Sequence, residues 1–241
     1  MAELEKKPIG QLVAEHPEYA SILEQSGIDY CCHGHLDLAT VCRQRGVSTE
    51  ELLERLQAAT PSAQDAEAAQ LAHLTLEELA QHIVQRHHTY LRSQLPRLSD
   101  LLATCLQRHS EEPSLQRLAQ VFRSLAQELQ MHLLKEENIL FPSIAEMERQ
   151  QRHLAFPFGS LRNPIAVMIH EHDDSAANLA RIREITHQYT PPEDACSAWR
   201  SLYEGLKELD TDLRQHIHKE NNLLFPRALA LEQSLSAGEA S

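Results

Sequence analysis

Four histidines and two glutamates recur in this chain with a spacing that suits metal binding. The segment His132-Leu-Leu-Lys-Glu136-Glu-Asn-Ile-Leu-Phe-Pro142 returns as His216-Ile-His-Lys-Glu220-Asn-Asn-Leu-Leu-Phe-Pro226, with 7 of 11 positions identical and an offset of 84. The same offset carries His88 to His172, Leu125 to Leu209 and Leu129 to Leu213. Each half of the repeat therefore offers two imidazoles and one carboxylate. Imidazole with carboxylate is a donor set for iron, manganese or zinc, and spacing alone does not choose among them.

The elements that must position these residues read as helices. Apolar residues at three-four spacing form one stripe through Val84, Leu91, Leu95, Leu98 and Leu102, another through Leu125, Leu129, Leu133, Leu140 and Ile144, and others through Met168, Leu179 and Ile182 and through Leu209, Leu213, Ile217 and Leu224. His88, His132, Glu136, His172, His216 and Glu220 fall on these stripes. His87, His170 and His218 fall off them and read as surface histidines. Four helices are expected near 75–109, 114–149, 161–189 and 193–231, separated by breaks at Ser110-Glu111-Glu112-Pro113, around Phe156-Pro157-Phe158-Gly159, and at Thr190-Pro191-Pro192. Phe141-Pro142 and Phe225-Pro226 are expected to kink or end their helices. The midpoint between His88 and His132 is 110, at the first break, and that between His172 and His216 is 194, beside the third. In antiparallel hairpins all six residues would then lie in one layer of the core. Two buried carboxylates among leucines cost several kcal/mol each unless a cation neutralises them. Four imidazoles and two bridging carboxylates would suit two metal ions.

The reading is thus all-α: an antiparallel four-helix bundle over 74–231, preceded by a small helical domain over 1–59 and a linker over 60–73, and followed by a flexible tail over 232–241. Within 1–59, Ile9 to Gln25 has helical spacing with Gly27 as a stop, and Ser48-Thr49-Glu50-Glu51 reads as a helix start. Seven glycines in 241 residues agree with a helical chain. A formal net charge of -13 argues against a nucleic-acid partner. No stretch is apolar for long enough to span a membrane, the first 20 residues lack a signal-peptide core, and five cysteines form no disulfide framework, so a cytoplasmic location is expected. Several other residues could take part. Glu128 and Asp212 each precede a stripe histidine by four residues. They could hold its second ring nitrogen, or be solvated acids. Glu171 could deliver protons or line an access path. Cys31 and Cys32 are a vicinal thiol pair that could be reactive or simply pack. Any disulfide between them would be strained and labile.

The repeated His-x-x-x-Glu segment ending in Leu-Phe-Pro, together with Glu171-His172-Asp173, resembles the hemerythrin-like di-iron proteins. The Gly27-Ile28-Asp29-Tyr30-Cys31-Cys32 segment is similar to the small domain that precedes such a bundle in the RIC (repair of iron centres) family. The resemblance covers nearly the whole chain. It implies two non-haem iron ions per chain, oxo- or hydroxo-bridged, held by His88, His132, Glu136, His172, His216 and Glu220. It also implies access or proton-supply roles at Glu128 and Glu171. The implied function is repair or protection of iron–sulfur clusters damaged by nitric oxide or oxidative stress, with iron–sulfur proteins as clients and nitric oxide or oxygen as small ligands. An oxygen- or nitric oxide-binding sensor without turnover is the alternative, and nitric oxide reduction at the centre would make the protein an enzyme. One departure is plain: where the family is glycine-rich after the cysteines, this chain has His33-Gly34-His35. Those histidines could bind metal or be exposed loop residues.

Overall fold

Straight-chain residues and few glycines give helices, and the computed structural model, which describes residues 2–61 and 70–239, contains no β-strand among them. The segment 62–69 of the expected linker lies outside the described residues. The chain divides into two compact units. One comprises 1–80 with 147–154 and 217–241, and the other 81–146 with 155–216.

In the first unit five short helices come first: α1 (Ala2–Glu5), α2 (Ile9–Glu15), α3 (Tyr19–Gln25), α4 (Leu38–Arg45) and α5 (Thr49–Gln57). The expected run from Ile9 to Gln25 is broken at His16-Pro17, because proline disfavours helix at the residue before it. Gly27 does stop α3, at φ 67°, and Ser48 caps α5 by accepting from Glu51 N–H at 3.3 Å. Ile9, Leu12, Leu23, Leu38, Leu52 and Leu56 make a separate core. Two glycines allow backbone to approach closely here. Gly10 N–H donates to Gly34 C=O at 2.9 Å. A Cβ on either glycine would come within 2.0 or 2.2 Å of Asn222 Oδ1.

Four long helical runs follow: α6 (76–108), α7 (113–150), α8 (Arg162–Ile185) and α9 (197–239). The expected boundaries are close, with three differences. First, α8 stops at Ile185 rather than near 189, because His187, Gln188 and Tyr189 turn left-handed, with φ between 47° and 61°. Second, α9 runs to Glu239, well into the segment expected to be a flexible tail. Third, Pro142 and Pro226 end nothing. Each follows a five-residue π-turn, Glu136–Leu140 or Glu220–Leu224, in which the N–H of Phe141 or Phe225 reaches back five residues to the carbonyl of Glu136 or Glu220. The wider turn breaks the regular four-residue ladder just where the proline would have clashed with it. A third π-turn, Val84–His88, interrupts α6, with Thr89 N–H bonded to Val84 C=O. All three turns contain a stripe histidine or glutamate.

The start of α6 is fully capped. Thr75 and Glu78 form a reciprocal box, with Thr75 N–H on Glu78 Oε2 at 2.9 Å and Glu78 N–H on Thr75 Oγ1 at 3.1 Å. Glu148 takes the next two amides, Leu76 N–H at 2.8 Å and Glu77 N–H at 2.9 Å. Glu148→Ala leaves those two donors without their carboxylate. It is expected to lower unfolding free energy by about 1–2 kcal/mol in denaturant titration. A change within error would show that solvent replaces the carboxylate at no cost.

Candidate metal centre

The six stripe residues converge as two overlapping groups. His88, Glu136, His216 and Glu220 form one, and His132, Glu136, His172 and Glu220 the other. Within each, one ligand-type atom per residue lies within 4.8 Å of all the rest. Both glutamates belong to both groups. All six residues are at most 3% exposed. Glu220 lies one turn beyond His216 on the same unbroken run of α9. Glu136 sits between two rings, with its Oε2 3.4 Å from His88 Nε2 and 3.3 Å from His132 Nε2.

The ring nitrogens face each other in pairs. His88 Nε2 is 3.2 Å from His216 Nε2, and His132 Nε2 is 3.2 Å from His172 Nε2. In each pair one ring's tautomer is set from outside. His88 Nδ1–H donates to Glu137 Oε1 at 2.6 Å, and His132 Nδ1–H donates to Glu171 Oε2 at 2.9 Å. With the proton on Nδ1, a neutral ring presents a bare Nε2 lone pair inward. Inward lone pairs beside two buried carboxylates are a donor set that a pair of cations satisfies.

The two backing carboxylates are themselves supported by cations. Arg92 Nη2 donates to Glu137 Oε1 at 2.6 Å. Burial acts to raise the Glu137 pKa, but the Arg92 and His88 hydrogen bonds outweigh it and hold it below the usual value. Lys135 pairs with Glu171. The His132 hydrogen bond, with Lys135 adding to it against a partial burial penalty, holds Glu171 at about 2. Both side chains keep some contact with solvent, at 23% and 28% exposure.

Several expectations need correction. Glu128 does not back His132. It is exposed and accepts from Ser124 Oγ at 2.6 Å and Asn178 Nδ2 at 2.9 Å. Ser124 on its own helix and Asn178 on the neighbouring one hold the Glu128 carboxylate in place of the ring. Asp212, open between backing His216 and being a solvated acid, is buried and receives His87 Nδ1–H at 3.0 Å. His87 is not a surface residue: it is 0% exposed, and its ring stacks on His216 with centroids 5.4 Å apart. The π-turn Val84–His88 holds one more residue than an α-turn, so a count at 3.6 per turn loses the phase there. His218 is half-buried, edge-on to Tyr30 at 5.1 Å, and burial pushes its pKa down to about 3. His170 is exposed, as expected. Glu137 was missed, although it is the repeat position where Asn221 stands in the other half.

Cys31 and Cys32 are both buried, with sulfurs 3.8 Å apart. The Cys31 thiol donates to Asp29 Oδ1 at 2.9 Å. The hydrogen bond with Cys32 and burial raise its pKa well above the ordinary value. His33 and His35 are exposed, and His33 Nδ1–H donates to Asp29 Oδ2 at 3.0 Å. The Cys31 carbonyl accepts from Asn221 Nδ2 at 3.2 Å, and the Tyr30 carbonyl from Asn222 Nδ2 at 3.2 Å.

Comparison with known proteins agrees with this arrangement. Residues 79–228 match the hemerythrin HHE cation binding domain, which implies non-haem iron binding. Residues 5–60 match ScdA_N, a domain of unknown function (DUF542). The chain is 38% identical over 237 residues to the iron–sulfur cluster repair protein YtfE of Citrobacter koseri, covering 94% of this chain and 98% of that one. It is 37% identical over 226 residues to YtfE of Pectobacterium carotovorum, covering 92% and 96%. With YtfE of Salmonella paratyphi B the identity is 37% over 231 residues, covering 94% and 98%. A hemerythrin-type bundle behind a vicinal-cysteine domain, matched over nearly its whole length, shows that the chain belongs to the hemerythrin HHE family, in its RIC branch of iron–sulfur cluster repair proteins.

Proposed function

We propose that the chain holds two non-haem iron ions, one between His88 and His216 and one between His132 and His172, with Glu136 and Glu220 shared by both, and that it serves to repair iron–sulfur clusters damaged by nitric oxide or oxidants. The observation that carries this reading is the sharing of both buried glutamates by two four-residue groups. A single ion, or a set of satisfied core histidines, leaves one carboxylate without a reason to be there. Bound at these residues, an iron pair would supply redox chemistry and ligand exchange toward nitric oxide or oxygen, and a store of transferable iron. The clients would be iron–sulfur proteins. The sparse, odd set of cysteines supports a reducing, cytoplasmic setting.

The chain's own residues have distinct parts in this reading. Glu137 and Glu171 orient the rings of His88 and His132 and keep their Nε2 atoms bare. Each carboxylate sits on the outer Nδ1–H of its ring and keeps some contact with solvent, so it favours the ring's positive charge if the inner Nε2 takes up a proton. Arg92 and Lys135 keep these carboxylates ionised. The leucine layers around the six donors exclude water and strengthen every electrostatic interaction inside. Cys31 and Cys32, both buried, would meet nitric oxide or iron only on local opening of their turn.

Metal analysis of purified protein should give close to two irons per chain. Glu136→Ala should lose both, because it removes a donor common to the two groups. One iron retained in that variant, or zinc in the wild-type protein, overturns the shared-carboxylate reading. Iron retention against a chelator separates the backing acids: Glu137→Ala and Glu171→Ala should each weaken it about 10–100-fold. Glu128→Ala should leave it unchanged, and equal losses in all three would mean that general acidity, not ring orientation, matters. For the repair role, the iron-loaded protein should reactivate a nitrosylated cluster enzyme, and His216→Ala should not. Reactivation by the metal-depleted variant would sink it.

A further inference from the structure

The far end of the bundle holds a second pair of cysteines outside the metal centre. Cys105 lies in the last turn of the segment Thr89–Arg108 and is buried. Cys196 directly precedes the segment Ser197–Lys219 and is partly exposed. Its carbonyl already accepts Arg200 N–H at 3.1 Å, so Cys196 is the N-cap of that helix. The two ends lie against each other. His109, whose N–H bonds the Cys105 carbonyl at 2.9 Å, packs its ring at a 57° tilt against Trp199, three residues past Cys196, with centroids 5.0 Å apart. Along the helices, Cys105 is 17 residues from His88 and Cys196 is 20 from His216, or about 25–30 Å at 1.5 Å per residue.

We propose that Cys196 and Cys105 form a peroxide-oxidisable thiol pair, with Cys196 as the attacking thiolate and Cys105 as the resolving thiol. The cap geometry points free backbone amides and the positive end of the helix at the Cys196 sulfur, which stabilises an anion there. The groups facing it are His109, Arg108 and Cys105 of the neighbouring helix end and the amides of Ala198 and Trp199. His109 chiefly, with the two amides and Arg108, lowers the Cys196 pKa to about 7. Burial first, then the Cys196 sulfur, pushes Cys105 up to about 11, so the buried partner stays protonated.

The chemistry closes without a further reagent. The Cys196 thiolate attacks one oxygen of hydrogen peroxide. A sulfur–oxygen bond forms, the oxygen–oxygen bond breaks, and hydroxide leaves. Sulfur is oxidised to a sulfenic acid as the peroxide is reduced. The Cys105 thiol then attacks that sulfur, the sulfur–oxygen bond breaks, and the Cys105 proton leaves with the hydroxyl as water. His109 is placed to carry that proton. The product is a disulfide tying the end of the first bundle helix to the start of the fourth.

The test uses the full-length, iron-loaded protein. Alkylation of wild-type Cys196, followed by peptide mass spectrometry across pH, should show a midpoint at about 7, and His109→Ala should move it upward. A midpoint in the ordinary thiol range, about 8.5, overturns the proposal without any variant having to fold. Under limiting hydrogen peroxide the wild-type protein should lose two hydrogens and yield a peptide linked through Cys105 and Cys196. Cys105→Ser should instead accumulate a dimedone-trapped sulfenic acid at Cys196, and Cys196→Ser should leave Cys105 reduced. Oxidation confined to Cys31 and Cys32, or at Cys196 without the link to Cys105, also overturns it. None of these readouts depends on cluster repair.

Discussion

Two carboxylates buried among leucines are the constraint on which this structure depends. Glu136 and Glu220 are each 0% exposed. An isolated carboxylate moved from water to such a place costs several kcal/mol even after relaxation. The cost falls only if positive charge comes with it, and the surrounding residues are arranged to bring it. Four imidazoles aim nitrogens at the glutamates, and two outer carboxylates keep the protons on the far side of two of those rings. The bundle is a device for holding these groups at one depth. Continuous helices give each donor a backbone whose position is set by packing on both sides of it.

Much of this was legible in the sequence, because a helix reports its buried face through spacing. His132 and Glu136 are one turn apart on a leucine stripe, and the pattern repeats 84 residues later. Equal distances from the chain breaks then fix the depth. What spacing could not show is the π-turns. Each adds a residue to one turn, shifts the phase, and brings in residues that a straight wheel leaves outside, as at His87. The backing acids were hidden for another reason. Glu171 reaches His132 from a neighbouring helix, and such a pair has no signature along the chain. Glu128 did have the signature, but Ser124 and Asn178 hold its carboxylate instead.

Where the two halves of the repeat differ, they do different work. Glu137 and Asn221 occupy the same repeat position. The acid backs a ring in the bundle core, while the amide, with Asn222 beside it, holds carbonyls of the cysteine turn. A carboxylate at 221 could not donate to a carbonyl, and an amide at 137 would bring no negative charge to pair with Arg92 while accepting from His88 Nδ1–H. The position therefore had to diverge once one half met a turn of backbone and the other met an imidazole. Gly10 and Gly34 belong to the same adaptation, since a side chain at either would occupy the place of the Asn222 amide.

A centre that gives up iron faces a problem that a permanent one does not. Removing two cations from between Glu136 and Glu220 would leave two negative charges buried together, and the fold would bear the cost. Protons can replace part of the lost charge, but only along a path that reaches the rings. Glu137 and Glu171 do not carry that proton, but each holds the outer Nδ1–H of a ring and favours the charge that the ring gains when its inner Nε2 is protonated. Arg92 and Lys135 help hold them ionised, so their negative charge stays beside the two rings. Their charge, set against the outer face of two rings, offsets part of the cost that the buried glutamates impose on the fold.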